Sequence, residues 1–204
     1  MGNGTVNTTT NNGGTKITIG GDAVIDGDSV NDCLAIYHPQ DGQLIINGGT
    51  IIGTNGIEMK AGNLTITGGT ISATGPFVAV PDKTGSGTTD TGDAILIYNR
   101  DGYGIGKKMN VTISGSPTIT SANGYALREF THAGETSRLG VATISGGHFT
   151  GGTPGAVSFT TVSDANLELT GGDYSTDPKA YVYPPYFTYQ SGNRWYIAIP
   201  PTIS

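Results

Sequence analysis

Apolar and polar residues alternate with period two along several short stretches of the chain, and these stretches echo one another. Six copies align: "KITIGG" from Lys16, "QLIINGG" from Gln43, "NLTITGG" from Asn63, "NVTISGS" from Asn110, "VATISGG" from Val141 and "NLELTGG" from Asn166. Their spacings are 27, 20, 47, 31 and 25 residues. The shortest interval shows the unit bare: a strand "LIIN", a "GG" bend, a strand "TII", a turn "GTNG", a strand "IEMK", then "AG". Three short strands in 20 residues predict one coil of a parallel β-helix. Longer intervals are the same coil with loops added at its corners. The expected fold is therefore an all-β solenoid of about six coils, each burying its apolar face only against its neighbours.

Alternation assigns one set of residues on each strand to the interior. On the first strand one inward column is Ile17, Leu44, Leu64, Val111, Ala142 and Leu167. The other is Ile19, Ile46, Ile66, Ile113, Ile144 and Leu169. On the second strand Ile51, Ile71, Ile119, Phe149 and Tyr174 share a position, and on the third Leu34, Ile57, Ile95, Leu127 and Val157 do so. Beside the last column, Cys33, Gly56, Ala94, Ala126 and Ala156 form a file of small residues suited to a tight corner, which makes Cys33 a small core residue. A slip of one residue would bury the threonines instead, so the register is strongly specified.

Open ends of such a rod are unpaired sheet edges and need covering. "YVYPPYFTYQSGNRWYIAI" (181–199) reads as a hairpin around "SGN" whose aromatics seal the last coil. The expected division is a polar tail over 1–14, the β-helix over 15–184, and a capping hairpin with its tail over 185–204.

Composition adds exclusions. With 34 glycines but no G-X-Y period the chain is not collagen-like, and its aliphatic alternation is not that of a disordered chain. A net charge of −6, with Lys107-Lys108 the only adjacent basic pair, argues against a nucleic-acid partner. No apolar run approaches 18 residues, so no membrane insertion is expected. "MGNGTVNTTTNNGG" lacks the basic and apolar regions of a signal peptide. A lone cysteine makes no internal disulfide.

The phrase "LTGGDYSTDPKAYV", the glycine turn and "RWYI" after it, "GDAILIYNRDGYG" and "NVTISG" carry a resemblance. Over roughly residues 43–199 the chain resembles repeat-rich surface proteins of anaerobic gut bacteria, within the pectate-lyase-like right-handed β-helix superfamily. That resemblance implies a right-handed coil and an extracellular, adhesin-like or glycan-facing module on a bacterial surface. Similar β-helices build phage tail spikes and fibres, so a virion protein is the alternative, and fold alone does not choose.

Many members of that superfamily cleave acidic polysaccharides, which requires clustered or paired carboxylates. On the outward face of the first strand stand Thr18, Ile45, Thr65, Thr112, Thr143 and Glu168, which offer no such pair. His148 in "GGHF" does not match the hydrolases' "GHG", and no "RIK" is present. A polysaccharide lyase or hydrolase is thus the third reading, and no catalytic residue is assigned. Asp22, Asp26, Asp28 and Asp32 crowd one loop, but their spacing fits no Ca²⁺ loop and suits turn chemistry better. No metal or cofactor is expected.

The outward positions of the third strand differ: Ala35, Glu58, Leu96, Arg128 and Ser158, then Tyr37, Lys60, Tyr98, Phe130 and Thr160. Three aromatics interleaved with charges suit sugar rings. Insertions around this strand would wall a trough carrying Arg100, Asp101, His132, Glu135 and Arg138. The expected ligand-binding set is Tyr37, Glu58, Lys60, Tyr98, Arg100, Arg128 and Phe130, facing a glycan or other host ligand. Two alternatives for the same rank are self-association, as in a trimeric fibre, and packing beneath the loops. Glu129 falls in an inward column, where a lone carboxylate is costly.

Overall fold

The computed structural model describes residues 15–28, 33–82, 89–99, 108–160, 162–163 and 165–201. Among them the chain is all-β, with a single 3₁₀ turn at Lys179–Tyr181 and no α-helix. The first-strand segments pair in parallel in sequence order. They are β1 (Lys16–Ile19), the leading halves of β4 (Gln43–Gly53) and β6 (Asn63–Ala73), β8 (Met109–Ile113), β11 (Leu139–Ile144) and β14 (Leu167–Leu169). The second-strand segments do the same: β2 (Val24–Asp26), the trailing halves of β4 and β6, β9 (Thr118–Ser121), β12 (His148–Thr150) and β15 (Asp173–Tyr174). Because β4 and β6 run through both wings, these strands form one sheet creased at the double glycines. Gly49 and Gly69 turn that crease at φ +83° and +88°. A Cβ on Gly69 would lie 2.8 Å from the Gly48 carbonyl oxygen, so neither a side chain nor its preferred backbone fits there.

A separate five-stranded parallel sheet faces the crease: β3 (Ile36–His38), β5 (Ile57–Met59), β7 (Ile95–Asn99), β10 (Leu127–Thr131) and β13 (Val157–Phe159). The first-strand and second-strand columns pair as their alternation predicts, rank on rank from Ile17 to Leu167 and from Ile51 to Tyr174. They meet the third-strand aliphatics in one continuous core. At its far end Phe149 stacks on Tyr174 with ring centroids 4.9 Å apart.

The first repeat departs from the expected register. Ile36, not Leu34, faces Ile57, so every third-strand partner in this repeat moves by two residues. The corner is wider here: Cys33 N–H donates to Gly27 O (3.0 Å), and Cys33 O in turn accepts from Thr54 N–H (3.0 Å). Cys33 and Leu34 are spent rounding that corner. Ala35 takes the small-residue position, and Cys33 is exposed rather than in the core.

The C-terminal strands β16 (Phe187–Ser191) and β17 (Arg194–Ala198) form an antiparallel hairpin across Gly192-Asn193. The second of them pairs antiparallel with β15, closing that edge of the stack. Trp195 and Ile197, with Tyr181 and Tyr183, pack on the core. Phe187 and Tyr189 instead face outward, each 44% exposed, so only one face of the hairpin seals. Arg194 fastens it: Nε donates to Asp173 Oδ1 (2.6 Å), Nη1 to Thr150 Oγ1 (2.8 Å) and Nη2 to Phe149 O (3.1 Å). At the opposite end Ile17, Ile19, Ile25, Leu34 and Ile36 line an apolar hollow of about 570 Å³.

Candidate functional site: a covered strand and an open corner

The third-strand rank expected to be exposed is covered. Glu58, Lys60, Tyr98 and Arg128 are buried, and Tyr37 and Phe130 are half-buried. Arg100 and Asp101 lie outside the described residues. Tyr37 stands opposite Glu58 rather than Lys60, because of the shift in the first repeat.

What covers them is the insertion after β6. Arg128 Nη1 donates to Val78 O (2.9 Å), and its Nη2 donates to Ala79 O. Tyr98 Oη donates to Asp82 O (3.0 Å). On the returning limb, Thr89 N–H donates to Glu58 Oε2 (3.0 Å). Asn55 accepts from Thr91 N–H (2.9 Å) and Gly92 N–H (2.8 Å), and donates to Thr89 O (2.9 Å). The predicted binding face is in this structure the floor on which segments 76–82 and 89–92 rest.

The charges on that floor pair with each other. Lys60 Nζ lies 3.0 Å from Glu58 Oε1, and between the Tyr37 and Tyr98 rings at 5.1 and 5.3 Å from their centroids. Arg128 lies 3.3 Å from Asp93 Oδ2 and against the Phe77, Tyr125 and Phe130 rings. Burial pushes the Glu58 carboxyl above the ordinary range, and Lys60 opposes the rise. Burial does the same to Asp93, opposed by hydrogen bonds from Thr91 and Tyr125 and by Arg128.

The inward carboxylate of Glu129 is satisfied without a bulge, since β10 stays in register with β7. It accepts from Asn99 Nδ2, from Thr131 Oγ1 (2.7 Å) and from Thr160 N–H (2.7 Å). Of the trough residues, His132 Nε2 meets Tyr98 Oη at 2.7 Å, which ties it to the floor.

An open groove lies elsewhere, along the corner between the second and third strands. One part, about 750 Å³, is lined by Thr74, Pro76, Phe77, Asn123, Thr153 and Pro154. The adjoining part, about 550 Å³, shares Thr74 and Pro76 and adds Asp28, Thr54, Gly75 and Asp90. Register explains its direction. Asp28 follows β2, Thr54 follows β4, Thr74 follows β6, Asn123 follows β9 and Thr153 follows β12, and these strands are successive neighbours. Five repeats thus each contribute a short polar side chain to one groove, carried on strands spaced about 4.8 Å apart.

The groove is preset by its own hydrogen bonds. Asn123 Nδ2 donates to Thr74 O (3.1 Å) and Gly75 O (2.9 Å). Thr54 Oγ1 donates to Asp90 Oδ1 (2.8 Å), and Thr74 Oγ1 to Asp28 Oδ1 (2.6 Å). Phe77 forms an apolar wall, held edge-on to Tyr125 at 5.7 Å. Asp28 N–H donates to Asp26 Oδ1 (3.0 Å), the turn chemistry expected of that loop. Asp32 lies outside the described residues, and among those described no three potential metal ligands gather.

Alternation does not reveal this groove, because its residues belong to turns. The available signal is positional: "GTNG", "ATGPF", "SANGY" and "GGTPG" occupy the same corner of successive repeats. No protein family, curated protein or solved structure matches the chain.

Proposed function

We propose that the protein is a right-handed parallel β-helix that serves as a non-catalytic recognition module on a bacterial cell surface, binding a linear glycan along the corner groove. Parallel pairing of successive repeats in both sheets supports the helix, and right-handed crossovers between parallel strands are the rule. The cell-surface placement rests on the resemblance of the repeat and closing segments.

The observation that carries the binding reading is a single groove crossing five repeats with one short polar side chain from each. An extended polysaccharide repeats its hydroxyls on nearly the same step as stacked strands. A preset line of threonine and asparagine groups with an aromatic wall therefore meets such a ligand at little ordering cost. The covered third-strand floor holds Phe77 through Arg128, and the limb that carries Asp90 through Asn55 and Glu58.

A glycan array probed with the 204-residue protein and with Phe77→Ala tests this. Retention of extended glycans, weakened about tenfold in the variant, is the expected result. Equal retention by both proteins, or none by either, rejects it.

A further inference from the structure

From the charges along the groove we infer its ligand class: it takes a neutral or amino-bearing glycan and rejects uronic-acid polymers. The inference rests on the glycan reading above. Two carboxylates, Asp28 and Asp90, line one half of the groove, and no Lys or Arg is among its described lining residues. Each carboxylate has its Oδ1 engaged by a threonine hydroxyl of another repeat: Thr74, two repeats on, for Asp28, and Thr54, in the repeat before, for Asp90. Those bonds hold one oxygen of each carboxyl at the groove and leave the other open to it.

Among the described residues, none that lines the half of the groove with Phe77, Pro76 and Pro154 is charged. A ligand lying along both halves meets a carbon-rich wall at one end and two fixed negative charges at the other. A uronate placed there brings like charge against Asp28 and Asp90, on a protein whose net charge is already −6. An ammonium group there gains charge-assisted hydrogen bonds. A hydroxyl or acetamido group is accepted as an ordinary donor.

Titration calorimetry with three oligosaccharides of equal length decides the matter: fully N-acetylated chito-oligosaccharide, its fully deacetylated form at a pH where the amines are charged, and oligogalacturonate. The deacetylated oligomer is expected to bind about fivefold more tightly than the acetylated one. Oligogalacturonate is expected to bind most weakly, and added salt to narrow the differences. Asp90→Asn keeps an oxygen for Thr54. Together with Asp28→Asn it should remove most of the cationic preference, whereas Asp22→Asn, at an exposed site outside the groove, should not. Binding that needs Phe77 but ignores ligand charge, or favours galacturonate, overturns this inference alone. Preference lost equally in Asp22→Asn overturns it as well. Absence of binding to all three, or indifference to Phe77→Ala, overturns the groove reading and this inference together.

Discussion

The first-strand wing and the third-strand sheet stack the same kind of side chain on the inside and opposite kinds on the outside. Ile66 and Ile97 are equally buried. Behind the first, the outward rank runs Thr18, Ile45, Thr65, Thr112, Thr143 and Glu168, mostly against solvent. Behind the second lie Glu58, Arg128, Lys60 and Tyr98, buried beneath a loop that they hold by its carbonyls and N–H groups. A parallel strand carries no information about its outer face beyond the residues placed there. Small β-branched residues leave it a wall, and long charged or aromatic ones make it an anchor. The wall contributes ladder and core, while the anchor also fixes the corner where the groove forms.

The sharpest way to break this contrast is Arg128→Ala. It removes the carbonyl clamp and leaves Asp93 buried without its cation, so it should cost about 3–5 kcal/mol in urea denaturation. The floor reading also requires the variant to weaken groove binding, because Phe77 loses its support. If stability drops by less than 1 kcal/mol, the clamp is ornamental and the two outer faces are alike.

The inner faces should respond alike. Ile66→Ala and Ile97→Ala each delete a fully buried side chain and should each cost about 2–5 kcal/mol, whichever sheet they come from. A marked difference between them would mean that the two sheets do not share one core.

Smaller is the pH effect of the anchor. Glu58 and Asp93 have folded pKa values raised by burial. A carboxyl raised on folding takes up a proton when the chain folds in the window between its unfolded and folded values. Its contribution is full below the unfolded value and is lost as pH rises through the folded one. The stability of the wild type relative to a Glu58→Gln, Asp93→Asn variant should therefore increase as pH falls through that window, then level off. Denaturation midpoints of both proteins across mildly acidic pH check the sign, and a difference that grows toward neutral pH contradicts it.

The smallest effect belongs to the wall. Thr112→Ala, on an exposed outward position, should change stability by no more than about 0.5 kcal/mol, and binding not at all. A larger loss in calorimetric melting would show that the threonine rank is a working surface after all.

Legibility followed the same division. The first-strand columns could be read because a one-residue slip exchanges aliphatics for threonines, a large penalty that only one register avoids. The third strand of the first repeat could not, since alternation is unchanged by a shift of two, and Leu34 and Ile36 fit the inward column equally well. Packing beneath the loops was one of the alternatives for Lys60 and Arg128, but alternation could not choose it, because it depends on where the backbone of residues 76–82 and 89–92 comes to rest. Glu129 looked like a misfit until Asn99, Thr131 and the Thr160 amide were brought around it from two strands and the turn after a third.

Outside the third strand of the first repeat, local pattern by itself determined which residues are strands, which side of each faces inward, and that repeats stack in parallel. Those properties follow from a period of two and from double glycines that turn corners no other residue can. Tertiary structure alone decided which outward ranks meet water, which carboxylates find partners, and that five turns far apart in sequence align into one groove. Each of these is a property of contacts between repeats, and the energy of such a contact is not written in either partner alone.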